Sequence, residues 1–249
     1  MAQINLEFDP ADFQGDPIDN PFMPLAPGNT WVYQNEEGVT DTVTVTNQTI
    51  TIEGVECVVV KDIAREGNKI LESTKDYFAQ DVDGNVWYFG ENTKEFLEDG
   101  GVSFAGTWRA GVDNAEAGII MLADPQVGDS YFEENAPGVA VDEAKVLKTN
   151  ASATVPFGSF RNCLETLNTS ALLPGDEEHK FYAAGIGNVL TAAADGTREE
   201  LISFTQEASL KQAMAGFGDS SSIDTGEPLL RQNNPHFVDI GVPSHDHHA

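Results

Sequence analysis

The chain contains two versions of one strand-rich pattern, and this repetition constrains its fold more than any other feature. The stretch "KDYFAQDVDGNVWYFG", residues 75–90, has a counterpart in "HKFYAAGIGNVLTAAADG", residues 179–196. Other pairs match at offsets between 100 and 106: Gly28 with Gly128, Trp31 with Tyr131, Cys57 with Cys163, and Gly84-Asn85-Val86 with Gly187-Asn188-Val189. Similarity at a nearly fixed separation indicates an internal duplication.

Each copy has the pattern of antiparallel β-strands. The segment "TVTVTNQTITI" alternates β-branched and polar residues with a period of two, which places one face on a core and the other in water. Turn signals interrupt the alternation at Gly38, Gly54, Gly67 and Gly84. Two such units would pack their apolar faces together or share one curved sheet. The sequence therefore predicts an all-β protein in which two fused pseudo-repeats form a curved-sheet, sandwich or barrel-like body.

Composition divides the chain into four segments. Residues 1–27 are rich in Pro and Phe and predict an extended strap, because proline blocks both helix and central strand. Residues 28–123 form the first β repeat and residues 124–206 the second, which makes one compact body with the first. Residues 207–249 predict a short helix and a His-rich tail. The strap either lies on its own body or engages a neighbouring subunit by strand addition.

The charge balance excludes several partners. The chain has 41 acidic and 13 basic residues, a formal charge of −28. Such a chain repels nucleic acid and anionic lipid, since binding either requires basic residues. No apolar run approaches the roughly 18 residues of a membrane span, which argues against membrane insertion. Self-association through the strap or the tail is the partner interaction that the sequence allows.

The first residues suggest a location outside the cytoplasm. Met1 is followed at once by the polar start "AQINLEFDP", which resembles a mature N-terminus that carries an added Met after signal removal. We therefore expect an extracytoplasmic protein: periplasmic, secreted or at the cell surface.

The two cysteines of the chain occupy matching places in the repeats. If a pseudo-twofold axis relates the halves, Cys57 and Cys163 can face each other across it, which predicts a disulfide that closes a loop of roughly 100 residues. Such a bridge requires an oxidising compartment. The alternative is two buried, reduced thiols that act as small hydrophobes.

Histidines near the end of the sequence are the main candidate metal ligands. His236, His245, His247 and His248 lie within the last 14 residues, together with Asp246. Imidazole ligands of this kind favour Cu, Zn or Ni. Calcium is less favoured, because Asp81 and Asp83 resemble part of a calcium loop without its terminal bidentate Glu; a plain hairpin is the alternative. For the C-terminal histidines, the alternative to a metal site is a solvated tail.

Catalytic motifs are missing from the sequence. It has no Gly-rich phosphate loop, nucleophile elbow or HExxH. His179, after three acidic residues, is either a base or ligand, or a strand residue satisfied by a carboxylate. The sequence leans against an enzyme and predicts no cofactor beyond the candidate metals.

Several stretches resemble a family of uncharacterised, usually exported, β-rich bacterial proteins. They are "DPADF", "DNPFMPLAPGNTWVY", "GVECVVVKD", "YFAQDVDGNVWYFGE", "AGIIMLADPQVGDSY" and "EHKFYAAGIGNVL", which together span about residues 8–204. The resemblance implies export and a β fold, and it transfers no catalytic residue. This chain departs from it at "LNTSALLPGDEEHK", where an aromatic residue is expected.

Three functions follow from these features. The first is a non-catalytic extracytoplasmic binding or surface-assembly protein, such as a filament or matrix subunit. The second is a metal-binding protein that uses the C-terminal histidines. The third is a hydrolase with carboxylates between the repeats.

Overall fold

A computed structural model describes residues 3–15 and 17–206, and this part of the chain is all-β. It contains one 3-10 helix, Pro10–Asp12, and fifteen strands. The strands are β1 (Thr30–Asn35), β2 (Val39–Ile52), β3 (Val55–Glu66), β4 (Lys69–Gln80), β5 (Val86–Glu91), β6 (Lys94–Phe96), β7 (Val102–Ser103), β8 (Trp108–Arg109), β9 (Gly118–Met121), β10 (Ser130–Ala136), β11 (Ala140–Val155), β12 (Gly158–Ser170), β13 (Glu177–Ala183), β14 (Gly187–Ala193) and β15 (Arg198–Thr205). Within these residues, no helix is both long and apolar enough to cross a membrane.

All fifteen strands belong to one curved antiparallel sheet. Its main path runs β10-β11-β12-β13-β14-β15-β1-β2-β3-β4-β5-β8. The two meanders join where β15 pairs with β1, with Trp31 opposite Phe204. At the other end, β9 pairs with β5, and Glu116, two residues before β9, forms an isolated bridge with Asn135 of β10. The sheet is therefore not closed into a barrel, although its two ends approach each other.

The two predicted repeats have the same order of hairpins. Strands β1 to β5 and β10 to β14 follow the same succession of antiparallel pairs. Gly28 donates its backbone N–H to Val45 O at 2.8 Å, and Gly128 donates to Val146 O at 2.9 Å. Gly28 and Gly128 have φ values of 89° and 99°, a left-handed conformation that glycine adopts without steric cost. The same backbone turn therefore opens both repeats.

The core lies inside the curve of the sheet. Trp31 and Tyr131, which correspond in the two repeats, are 3% and 0% exposed. Val45 and Val146 are buried beside them at the next strands. The period of two predicted from the sequence places these side chains on the inner face, and it places polar neighbours such as Thr44 on the other.

The N-terminal segment packs on its own chain. The rings of Phe8 and Phe13 lie 5.6–6.0 Å from those of Trp87 and Phe89, in tilted or edge-on arrangements. Farther along, buried Asn20 donates its side-chain N–H groups to Gly84 O and Leu122 O at 3.0 Å. Aromatic packing and a buried amide therefore fasten the strap to the body. This is the first of the two alternatives that the sequence leaves open.

The predicted Cys57–Cys163 disulfide is wrong. Both residues lie in the described part of the chain, both are 0% exposed, and no bond joins them. Cys57 is on β3 and Cys163 on β12, and five strands separate these two in the sheet order. Equivalent positions do not meet here because the repeats are joined edge to edge through β15 and β1. Both cysteines are buried reduced thiols, and burial raises the pKa of the Cys57 thiol to about 12.

Candidate functional site

A cavity of about 310 Å³ lies inside the curve of the sheet, where the first repeat meets the second. Strands β1 to β5 supply one side, and β13, β14 and β15 supply the other. Residues 22–25 of the strap complete the wall. The cavity is near the lower end of the range of about 300–1,000 Å³ that is typical of small-molecule sites.

Aromatic rings form much of the cavity wall. Trp31 stacks on Phe204 with ring centroids 5.1 Å apart, and its indole N–H donates to Ile186 O at 2.7 Å. Phe78 and Tyr88 stack at 4.7 Å. The rings are held by packing and hydrogen bonds, so this wall is preformed.

Four carboxyl groups also face the cavity, against a single amine. The acids are Asp41, Asp62, Asp76 and Glu199, and the amine is Lys180. The acids come from four different strands, β2, β3, β4 and β15. They converge because each occupies the inward-facing phase of its strand and the sheet curves around them. The cavity therefore has three more acidic than basic groups.

Three of the cavity carboxyl groups, those of Asp62, Asp76 and Glu199, hold protons more tightly than free acids do. Burial, followed by the contact with Asp41, raises the pKa of Asp62 to about 11. Burial also raises the pKa of Asp76 and of Glu199 to about 7, and neighbouring acids add to both shifts. The Asp41 carboxyl is in contact with Asp62, which favours the protonated form of Asp62. Burial is the main cause of these shifts, and the neighbouring acids reinforce it.

Two polar groups in the cavity wall differ in their hydrogen bonding. The Tyr88 hydroxyl donates to Asp76 Oδ1 at 2.7 Å and also lies 3.1 Å from Glu91 Oε2. The Asn188 side chain lines the cavity, and its Oδ1 is buried without a hydrogen-bond partner among the described residues. An unsatisfied buried acceptor is costly, so this amide oxygen is suited to receive a hydrogen bond from a ligand.

The second repeat holds a smaller polar cavity, of about 70 Å³. Its charged lining residues are four acids and one amine, the same numbers as in the larger cavity: Glu133, Asp142, Asp176, Glu178 and Lys180. The Asn168 side chain also lines it. Glu133 is 4% exposed, and its Oε2 accepts a hydrogen bond of 2.6 Å from Asn168 Nδ2. Burial raises the pKa of Glu133, while Lys180 and Asn168 oppose that shift. Burial alone would lower the pKa of Lys180, yet the surrounding acids, Glu133 first, raise it above its usual value.

Strand register shows that the two polar sites correspond. Asp76 pairs with Val60, which lies three positions after Cys57. Lys180 pairs with Thr166, which lies three positions after Cys163. Counting from the two cysteines along the paired strands gives three corresponding pairs: Asp41 with Asp142, Asp62 with Asn168, and Asp76 with Lys180. The side chains at two of these three pairs differ in charge.

Each repeat also contains a pair of carboxyl groups in contact. In the first repeat the pair is Asp41 with Asp62, and in the second it is Asp142 with Glu134. Burial, followed by the Asp142 contact, raises the pKa of Glu134 to about 9. Glu134 lies at a β-bulge in β10, where the pairing register shifts between Phe132 and Glu134. This bulge brings both Glu133 and Glu134 near the interior of the second repeat.

The predicted site residues have different outcomes. His236, His245, Asp246, His247 and His248 lie outside the described residues, as does the predicted helix after residue 206. Among residues 3–15 and 17–206, no group of three or more His, Cys, Asp or Glu side chains is placed to hold a metal ion.

Two other predicted positions have structural roles. His179 Nδ1 lies 2.9 Å from Glu165 Oε1, and Lys148 Nζ lies 2.6 Å from the other oxygen of that carboxylate. His179 is therefore a strand residue satisfied by a carboxylate. Asp81 accepts hydrogen bonds from Asn85 N and from Trp87 Nε1, both at 2.8 Å, which is the plain hairpin alternative to a calcium loop.

The cavity acids were not singled out by sequence reasoning. With 41 acidic residues in the chain, Asp41, Asp62 and Asp76 resemble ordinary surface charges. One signal was available: Asp41 has the same strand phase as the apolar residues Val43 and Val45, which points it into the core. A residue-by-residue comparison of the charges in the two repeats would also have shown the replacement of Asp76 by Lys180.

Comparisons with known proteins give little further information. No family model and no curated protein matches the chain. A solved structure of a candidate lipoprotein from Parabacteroides distasonis is similar, with a TM-score of 0.40 and 12% sequence identity. The similarity covers 75% of this chain and 99% of that one. A likeness this distant carries no functional assignment.

Proposed function

We propose that this chain is a non-catalytic extracytoplasmic binding protein whose small-molecule ligand occupies the 310 Å³ cavity. The observation that carries this proposal is the cavity wall, which combines fixed aromatic rings, converging carboxyl groups and an Asn188 oxygen that has no partner among the described residues. Concave sites with an apolar lining and a few convergent polar groups are the usual form of ligand pockets. Both repeats and the strap contribute to the wall, so the complete fold is needed to form it.

The extracytoplasmic location is supported by the sequence. The resemblance to exported β-rich proteins spans most of the body, and the charge of −28 suits a protein exposed to an external medium. Fractionation of the source cells, with antibody detection, tests the location. Recovery with cytoplasmic markers would contradict it.

The binding function is tested with a cavity-filling variant. Val43 lines the cavity, and the Val43→Phe substitution places a ring inside it. Thr42→Phe is the matched control, because alternate strand residues point to opposite faces. We expect native mass spectrometry with a chemically diverse fragment library to detect ligands on the wild type and the control that Val43→Phe no longer binds. Equal binding by all three proteins would show that the cavity is not the site.

A hydrolase is the second candidate, because the Asp41 and Asp62 carboxyl groups are in contact beside the cavity. Two carboxyl groups that share one proton can divide the roles of general acid and base. The fragment experiment separates the two functions. A ligand recovered unchanged supports binding, whereas a ligand hydrolysed by the wild type and left intact by Asp62→Asn supports catalysis.

Assembly and metal binding by the tail stay predictions. Light scattering of the full chain tests for filaments or other assemblies. Elemental analysis of native protein tests for Cu, Zn or Ni at the C-terminal histidines.

A further inference from the structure

Lys180 lines both cavities and is the single amine among the described lining residues of each. The acids with the largest effect on it belong to the second repeat, Glu133 first, and its Nζ lies 3.7 Å from Glu178 Oε2. In the first repeat, the corresponding position holds Asp76, an acid in place of an amine. The first repeat therefore contributes acids and no described basic side chain to the wall of the larger cavity.

We propose that the cavity binds a compact organic cation, an alkylammonium or quaternary ammonium compound, which places a positive charge beside Asp41, Asp62 and Asp76 on the wall that the first repeat supplies. This inference rests on the proposed binding function and specifies its ligand class.

The shape and chemistry of the wall favour an organic cation over a metal ion. No described cluster of His, Cys, Asp or Glu has the arrangement needed to hold a metal. The wall instead includes the rings of Trp31, Phe78 and Tyr88, whose faces attract cations, particularly when the cation is desolvated. Aromatic faces combined with carboxylates are the usual means of recognising ammonium groups.

Repulsion among the cavity carboxyl groups favours the binding of a cation. Asp76 and Glu199 come from opposite sides of the cavity, and within the described part of the chain neither forms an ion pair within 4.0 Å. Lys180 balances one of the four acids at most, and it is also shared with Glu133 and Glu178. A ligand ammonium would relieve their mutual repulsion, so binding and loss of protons from the cavity are linked.

Calorimetry of the full chain with matched probes tests the inference. The probes are choline, its uncharged isostere 3,3-dimethylbutan-1-ol, and n-butylammonium, each at up to millimolar concentration. We expect at least one cation to bind, and the uncharged isostere to bind at least about tenfold more weakly. We also expect the observed heat to depend on the ionisation enthalpy of the buffer, because binding releases protons.

Two variants locate the site. Asp76→Asn keeps an acceptor for the Tyr88 hydroxyl and removes the charge, so it should weaken cation binding at least about tenfold. Asp142→Asn, at a corresponding position of the second repeat, should leave the affinity unchanged. Asp76→Lys should abolish cation binding while the protein keeps its fold by circular dichroism, since it supplies the ammonium within the chain.

The outcomes distinguish this inference from the binding function itself. If the uncharged isostere binds as tightly as choline, or a neutral fragment binds in the cavity while no cation does, the inference fails and the binding function stands. If Asp76→Asn and Asp142→Asn weaken binding equally, the cation does not use the first-repeat site and the inference also fails. If neither cation binds, the inference is overturned, and the fragment library decides the binding function separately.

Discussion

The two repeats differ in charge at two of three corresponding interior positions. The first repeat carries Asp41, Asp62 and Asp76, whereas the second carries Asp142, Asn168 and Lys180. An amide and an ammonium therefore replace two acids in the second repeat, whose polar cavity encloses only about 70 Å³. The three acids of the first repeat face about 310 Å³, and among the described lining residues the single amine of that wall comes from the second repeat. Corresponding strand positions thus carry different charges and border spaces of different size.

The largest expected effect concerns the aromatic residues at the start of each repeat. Trp31→Ala removes a ring stacked on Phe204 and a 2.7 Å hydrogen bond, and should lower the free energy of unfolding by about 4 kcal/mol. Tyr131→Phe removes a buried hydroxyl that has no partner among the described residues, so stability should stay within about 0.5 kcal/mol or rise. Denaturant unfolding measures both. A large loss from Tyr131→Phe would show that its hydroxyl is hydrogen-bonded.

Lys180 provides the next test. Lys180→Met removes the ammonium near the buried Glu133 carboxyl and should destabilise the fold by about 3 kcal/mol, because it leaves that carboxyl without a counter-charge. Asp76→Asn, the matched change in the first repeat, removes a repelled charge and should be neutral or stabilising at pH 8. Equal losses from the two variants would remove the distinction between the sites.

Two acids of the larger cavity should make the free energy of unfolding fall as pH rises. Asp76 and Glu199 ordinarily titrate at 3.8 and 4.5, and both have a pKa of about 7 in the folded protein. The folded state therefore binds more protons than the unfolded state. The stabilisation that these protons give the fold is complete below about pH 4 and lost by about pH 7. We expect a decrease on the order of 1–3 kcal/mol across this window, measured without ligand.

The groups that face these two acids set the control for the pH experiment. Asp76 faces Tyr88, Glu91, Asp41 and Glu72, and Glu199 faces Asp41, Glu178 and Lys180. The double variant Asp76→Asn with Glu199→Gln should flatten the pH dependence. A profile of unchanged slope would assign the dependence to other acids.

The smallest effect is expected from reductant. Cys57 and Cys163 are unlinked thiols, so the melting temperature should be the same with and without dithiothreitol. A lower melting temperature in reductant would reveal a bridge and a different arrangement of the repeats.

The sequence was informative about strands and turns because those depend on local chemistry. Gly38, Gly54 and Gly84 all have positive φ at the predicted turns, and the alternation in β2 places Val45 in the core. The duplication was visible because corresponding turns need the same residues, as at Gly28 and Gly128.

The cavity could not be predicted in the same way. Asp41 and Glu199 are far apart in sequence, and they approach only because β15 pairs with β1 and the sheet curves. Sequence pattern gives the phase of a side chain along its strand and says nothing about how the repeats are joined. The same missing information accounts for the wrong disulfide, since facing the core does not bring Cys57 and Cys163 together.

The pairing of β1 with β15 also affects the order in which the protein can fold. Strand β1, Thr30–Asn35, acquires its second neighbour only when Arg198–Thr205 has been synthesised. Closing such a long loop is slow, since its entropy is lost before the contacts form. Nearly the whole body must therefore be translated before the sheet can be completed, and an export pathway that accepts unfolded chains would have that interval in which to act.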